Sequence, residues 1–290
     1  MTRGTPRRYR TAAGTPRRQP RVRRASAGLT PTRSAAVLAM LIAAGAIYGL
    51  SSTPAFGFER LEVSGATLTA EDAIRSTVGL ADGTNLVGLA TEPIAARLRQ
   101  MPSIREVDVS VGLPDALKVS VQERRAIIVW QVGDRRFAVD GDGLLFADTT
   151  DDPSGATAGT PVVSDERTAS SGLAVAAVLD PVVLDAARRL GSLTPGQVGS
   201  HALAVAVHVT DDRGFTLSSG KGGWTAVFGS YGRSQRTPAL IPGQVQLLGG
   251  LLAGREDTVQ TIILADDREG TYTARPTPRP TPRPSATPKP

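Results

Sequence analysis

The 290-residue chain contains no cysteine and only two histidines. The first absence excludes a disulfide framework, a thiol nucleophile and any cysteine-based metal site. The second leaves little imidazole chemistry, and His201 and His208 bracket an alternating HALAVAVH segment whose ends fall on opposite faces of a strand, so they cannot jointly hold a metal. No G-x-S-x-G or S-x-x-K context surrounds any of the many loop hydroxyls. Acid is absent from both ends: residues 1–33 carry ten Arg, and residues 275–290 carry three Arg and one Lys. The remaining 241 residues hold 19 basic against 27 acidic side chains, a net of −8. The overall +6 therefore belongs to the tails, and the part able to fold is acidic, which argues against nucleic acid as a partner.

Charge of either sign is missing from Ser34 to Phe58. The apolar heart AAVLAMLIAAGAIYGL, with its flanking Ser and Thr, spans ~30 Å as a helix, enough for one membrane crossing. A cleaved signal peptide is the alternative, with Ala44-Gly45-Ala46 as a small-x-small site. That triplet lies inside the apolar run, and a 33-residue basic leader is long for a signal, so the reading is an uncleaved anchor over 34–53. Arginines on one side only put the N-terminus in the cytoplasm and everything after Thr53 outside. The leader 1–33 has nothing with which to build a core and is expected to be a disordered basic tail, each Arg near an anionic leaflet contributing about 1 kcal/mol.

Beyond the anchor, Phe58–Val63 alternates as a strand ended by Ser64-Gly65. Thr69-Ala70-Glu71-Asp72 reads as a helix start capped by Thr69. A second helix starts at Thr91-Glu92-Pro93, with Ile94, Leu98 and Met101 on one face, and Pro102 ends it. Ile104–Val111 and Leu117–Val121 are strands joined by a turn at Leu113-Pro114-Asp115. Strand, helix, helix, strand, strand over 56–125 buries a core without metal or disulfide. That order resembles a POTRA domain, a small extracytoplasmic module that handles other polypeptides.

A β-rich region follows over 126–273. Ala126–Gln131, Arg136–Val139 and Leu144–Phe146 are strands punctuated by Gly133-Asp134 and by Asp140-Gly141-Asp142-Gly143. The DGDG run could suggest calcium, but it lacks ligands on an EF-hand schedule and reads as a hairpin turn. Residues 147–172 are polar and Gly/Pro-rich, a surface loop around Pro161-Val162-Val163. A helical region spans Val175 to Leu190, its better-formed half starting at Pro181 behind an Asp180 cap. Strands are expected at Ala202–Val209, Phe215–Leu217, Trp224–Phe228 and Val259–Leu264, a helix at Gln244–Leu252, and a short edge strand at Thr271-Tyr272-Thr273. The tail 274–290 alternates Pro with Arg and Thr, a disordered polyproline-like spacer.

The runs MPSIREVDVSVGLPDALKVSVQERRAIIVW (Met101–Trp130) and FAVDGDGLLF (Phe137–Phe146), behind a single N-terminal anchor, resemble the FtsQ/DivIB family of bacterial division proteins. GGWTAVFG and TIILADD fit less tightly. The resemblance implies an α+β protein: one transmembrane helix, a POTRA domain (β-α-α-β-β), then a mixed, β-rich domain. It implies a non-enzymatic assembly factor at the division septum, without a cofactor. The implied partners are two small single-pass coiled-coil proteins of the FtsB and FtsL type, with the POTRA module serving other division membrane proteins. It implies help in recruiting or regulating septal peptidoglycan synthesis. It also places partner binding at Ile262, Ile263, Leu264, Thr271, Tyr272 and Thr273. A terminal strand independently offers unpaired donors and acceptors to an incoming strand, with Tyr272 as a natural anchor.

An enzyme lacks a reactive constellation. A transport protein with a membrane β-barrel lacks chain, because the residues after 146 are too few and too loop-rich. An anchored wall-binding or adhesion protein using the Pro/Arg tail is the alternative reading.

Overall fold

The computed structural model describes residues 31–51, 53–152, 154–232 and 236–276. The expected disordered leader and the polyproline-like tail fall, apart from residues 31–33 and 274–276, outside these residues. The chain divides into two units, one ending at Ser52 and the other beginning at Thr53.

In the first unit, α1 runs from Pro31 to Ser51. Its Pro31–Gly49 stretch has a mean hydropathy of 1.4 and is long and apolar enough to cross a membrane. It begins three residues before Ser34 and so takes Arg33 into its first turn.

In the second unit, a three-stranded sheet comes first. It consists of β1 (Arg60–Ser64), β2 (Ile104–Gly112) and β3 (Ala116–Glu123) in the order β1-β3-β2, with β1 parallel and β2 antiparallel to β3. Helices α2 (Glu71–Val78) and α3 (Glu92–Leu98) cover one face. Ile74, Val78, Ile94 and Leu98 from the helices meet Leu117, Val119 and Val121 from the central strand in one buried cluster that also includes Phe58. Gly65 follows β1 at φ +83°, where a Cβ would run into the Val121 carbonyl oxygen. Glycine is required there by both backbone conformation and closeness. Thr69 does not cap α2. The N-cap is Ala70, without a side-chain bond. The Thr69 hydroxyl donates to Ser103 Oγ at 2.8 Å, and its N–H goes to Glu123.

The second sheet has nine strands in the order β12-β11-β10-β9-β8-β7-β4-β5-β6. These are β4 (Ile128–Val132), β5 (Arg135–Val139), β6 (Leu145–Asp148), β7 (Val162–Asp165), β8 (Ala206–Thr210), β9 (Gly214–Ser218), β10 (Thr225–Gly229), β11 (Val259–Leu264) and β12 (Gly270–Ala274). β4–β7, β7–β8 and β10–β11 are parallel pairs. A parallel pair needs a crossover, and two of these crossovers supply α4 (Pro181–Gly191) and α5 (Ile241–Leu252). Both helices pack on the same face, over a core that includes Trp130, Phe137, Val163, Phe215, Trp224 and Phe228.

Three expectations are corrected here. Residues 147–172 are not all loop, because β7 sits in the middle of the sheet between β4 and β8. Its Asp165 is buried and accepts a hydrogen bond from the Trp130 indole at 3.0 Å, while Arg167 Nε and Nη2 donate to the same carboxylate at 2.9 and 2.8 Å. Burial raises the Asp165 pKa, but the hydrogen bonds from Arg167 and Ser170, with the Arg167 charge, together outweigh it and hold the carboxyl below its usual range. A paired charge of this kind overrides a loop-like composition. The expected helix from Val175 begins only at Pro181, where Asp180 does accept the Val182 and Val183 N–H groups. The strand expected from Ala202 begins at Ala206.

Candidate functional site

The β11–β12 hairpin carries all six residues expected to bind a partner, but it divides them. Ile262, Ile263 and Leu264 lie on β11, which pairs with β10 on one side and β12 on the other. They are not at the sheet edge. Thr271, Tyr272 and Thr273 lie on β12, and no strand among the described residues lies beyond it. Ile262 and Leu264 are buried against α5 and the core, whereas Ile263 is half-exposed on the opposite face. Tyr272 stands opposite Ile262 and is 47% exposed, with the Arg255 guanidinium 5.8 Å from its ring centroid.

The hydrogen bonds fix which groups on β12 are free to pair. Ala265 N–H donates to the Glu269 carbonyl, and Arg275 N–H donates to the Thr258 carbonyl, so positions 269 and 275 face β11. Backbone polarity alternates along a strand. Positions 271 and 273 therefore also face inward, and the N–H and C=O groups of Gly270, Tyr272 and Ala274 face outward. Within Gly270–Ala274 there is no Lys, Pro or charged residue, the devices that usually blunt an exposed edge.

The hairpin is held from behind by residues that sequence reasoning missed. Gln244, fully buried on α5, accepts from the Tyr231 hydroxyl at 2.7 Å and donates to the Phe228 and Leu264 carbonyls at 3.4 Å. Burial pushes the Tyr231 hydroxyl pKa up, which keeps it a donor. Arg236 donates to the Leu264 carbonyl at 2.6 Å and to that of Ala265. The turn is closed by Asp266, which accepts the Arg268 and Glu269 N–H groups at 2.7 Å; these bonds lower its pKa. The available signal was Gln244 itself, which shares a helix face with Ile241, Leu248 and Leu252 and so had to find partners inside the core.

A second support lies at the start of β11. The Glu256 carboxylate accepts from Ser200 Oγ, from His201 N–H at 2.9 Å and from the Trp224 indole at 3.0 Å, and it lies 2.9 Å from His201 Nδ1. Burial raises its pKa, but these bonds outweigh it and bring the group down to about 2. His208 is elsewhere, beside Glu166 at 3.1 Å.

The DGDG segment is occupied by its own turn. Asp140 Oδ1 accepts the Asp142 and Leu144 N–H groups, and Oδ2 accepts Arg124 Nη1 at 2.6 Å. Among the described residues no three His, Cys, Asp or Glu side chains are grouped to hold a metal. Arg124 also donates Nε to the Pro102 carbonyl at 3.0 Å. Next to it, Glu123 accepts the consecutive N–H groups of Thr67, Leu68 and Thr69. The Glu-Arg run and the Asp-led hairpin are thus the joint between the two sheets.

Residues 56–124 match the family model described as POTRA domain, FtsQ-type. The chain is 32% identical over 191 residues to the cell division protein FtsQ of Streptomyces coelicolor, covering 64% of this chain and 70% of that one. It is 32% identical over 192 residues to that of Streptomyces collinus, with the same coverage. Against that of Chloroflexus aurantiacus it is 25% identical over 249 residues, covering 84% of this chain and 80% of that one. With the matched module, the mixed sheet behind it and these identities in hand, the chain belongs to the FtsQ/DivIB family of cell division proteins.

Proposed function

We propose that this cell-division protein is a non-enzymatic, single-pass scaffold that holds small coiled-coil membrane proteins of the FtsB and FtsL type by strand addition to β12. Through them it helps recruit or regulate septal peptidoglycan synthesis. The arginines before α1 put the N-terminus in the cytoplasm and both sheets outside the membrane, where the septal wall is built. The POTRA module is the surface for other division membrane proteins. In this reading Tyr272 lies beside the incoming strand on the face that carries α5, Thr271 and Thr273 lie beside it on the other face, and Ile263 continues that second face one strand further in.

The observation that carries the proposal is the row of outward N–H and C=O groups at Gly270, Tyr272 and Ala274 on an unprotected edge. Strand addition satisfies such groups with main-chain bonds and takes its specificity from alternate side chains.

The test is capture of the two small partners by the full-length chain in detergent, comparing wild type with Tyr272→Pro. Proline at 272 removes an outward donor and no bond to β11. Capture should fall at least tenfold with an unchanged unfolding transition. Undiminished capture would move the binding site off this edge. Ile263→Pro, the natural choice from sequence, is the wrong probe. Ile263 pairs with the inward-facing Thr271, so proline there breaks the hairpin's own ladder.

A further inference from the structure

Outside the carboxyl ends of β7 and β8 lies a cleft of about 240 Å³, and no residue of β12 lines it. The topology builds it. β7 and β8 are parallel and joined through α4, so the start of α4 stands over the strand ends. The strand order also reverses beside it: the chain runs from β4 through β5 to β6 on one side, and from β7 through β8 to β9 on the other. In open sheets with such crossovers, ligands bind in the crevice outside the carboxyl ends, at the switch point. The turn after β8 and the residues that follow β10 close the sides.

The lining has three chemically distinct parts. Val183, Val209, Phe215 and Tyr231 form an apolar wall, with the two ring centroids 5.8 Å apart. Arg167 supplies a guanidinium held in place by Asp165, which takes hydrogens from Nε and Nη2 at 2.9 and 2.8 Å. A guanidinium has five N–H donors, so three remain, two of them on Nη1, and no described residue accepts them. Asp180 and Asp211 supply carboxylates. Asp180 commits Oδ1 to the Val182 and Val183 N–H groups and keeps Oδ2. Asp211 holds the Thr168 N–H and hydroxyl with its Oδ2. A few fixed polar groups around an apolar wall are what a small-molecule site requires.

We propose that this cleft binds a single free α-amino acid whose side chain carries a second amine. A carboxylate suits the uncommitted edge of Arg167, since guanidinium and carboxylate meet in a two-bond fork. The two ammonium groups suit Asp180 and Asp211, and the methylenes between them lie on Val183, Phe215 and Tyr231. The charge balance selects the basic member of the class. Arg167 is already neutralised by Asp165, so Asp180 and Asp211 leave the cleft with an excess of negative charge. A lysine-like ligand reduces that excess, a neutral amino acid leaves it unchanged, and glutamate adds to it. Volume sets the size. About 240 Å³ falls below the roughly 300–1,000 Å³ of clefts that hold drug-sized ligands, which leaves room for one amino acid and not for a peptide. This site is independent of strand addition at β12.

The test is isothermal titration calorimetry of the full-length chain in detergent with racemic lysine, norleucine and glutamate, and with cadaverine. Lysine should bind saturably, one molecule per chain. Norleucine lacks the side-chain amine and cadaverine lacks the carboxylate. Each should bind about tenfold or more weakly than lysine, because each leaves a charged group of the cleft without its partner. Glutamate should not bind. Asp180→Asn keeps the helix cap, since Asn caps about as well as Asp, and should weaken lysine about tenfold with an unchanged unfolding transition. Val183→Phe fills the cleft from its half-buried rim and should abolish binding. Cadaverine binding as tightly as lysine would overturn the proposal, because it would reduce the cleft to an acidic patch. The absence of saturation at millimolar lysine would overturn it too, as would lysine binding that both variants leave intact.

Discussion

At one end of the nine-stranded sheet, β6 is overlaid by residues 176–179. Leu145 exchanges bonds with Ala176 and Ala177, Leu179 N–H donates to the Gly143 carbonyl, and Leu144 bridges Val178. The second face is closed there too, where Ala138, Phe146 and Ala147 pack with Leu68, Ala126 and Leu144. Glu123 and Arg124 pin the same junction. At the other end, β12 pairs with β11 on its inner side, has no described strand on its outer side, and presents small, uncharged side chains around Tyr272. An edge strand is a liability unless covered, so one edge of this sheet is closed by backbone, core and ion pairs, while the edge at β12 has no described strand beyond it and is the one the proposed function uses.

The comparison can be broken from the closed side. Phe146→Ala removes the largest side chain at that junction and should cost about 3–5 kcal/mol in urea unfolding, with partner capture per folded molecule unchanged. Loss of capture in proportion would mean that the two ends are coupled. Glu123→Ala leaves three consecutive N–H groups without their carboxylate and should cost about 2–3 kcal/mol. Faster amide exchange should appear at Thr67–Thr69 and not on β12; protection unchanged at 67–69 would refute the clamp.

The open side should respond differently, and with a pH signature. Glu256→Gln should cost about 1–2 kcal/mol at neutral pH, as a charged acceptor of several bonds is replaced by a neutral one. Glu256 has a folded pKa depressed to about 2 against an ordinary value of 4.5. Its contribution is therefore fully present above about pH 4.5 and is lost as the pH falls towards 2. The gap between wild type and variant in a pH series of denaturation curves should close over that interval; a constant gap would assign the loss to packing alone.

The smallest effect concerns residues 176–179, the strap that overlays β6. Ala176 is the one described non-glycine residue with positive φ, at 73°, and it bonds β6 through its N–H. Ala176→Gly should raise stability by about 0.5 kcal/mol, strain relief slightly exceeding the entropy of a freer unfolded chain. Destabilisation, measured by the same urea curves, would mean that the strap is not strained.

Much of this is legible in the sequence. Alternation in β2 and β3, helical spacing in α3 and the Asp180 cap follow from local chemistry, and the structure carries each of them. The Asp140 hairpin was equally readable, because Asp accepts the N–H groups two and four residues on. β7 was not. Its two valines sit in a polar, glycine-rich context, and only β4 and β8 on either side, with Trp130 and Arg167 around Asp165, make a strand of it. Thr69 carried a capping signature, but Glu123, 54 residues away in sequence, competes for its N–H, and the cap is not formed.

The candidate site shows the same division. Short-range pattern is enough to place apolar Ile262, Ile263 and Leu264 in a strand and a second strand after a turn, because strand and turn signals are local. Which of the two is outermost depends on pairings with β10 from about 35 residues earlier, and only the assembled sheet decides that. The membrane-spanning length, the basic ends and the absence of cysteine belong to the sequence alone. The sheet order, the covered edge and the bare one belong to the tertiary structure, since an edge is defined by the strand that does not arrive.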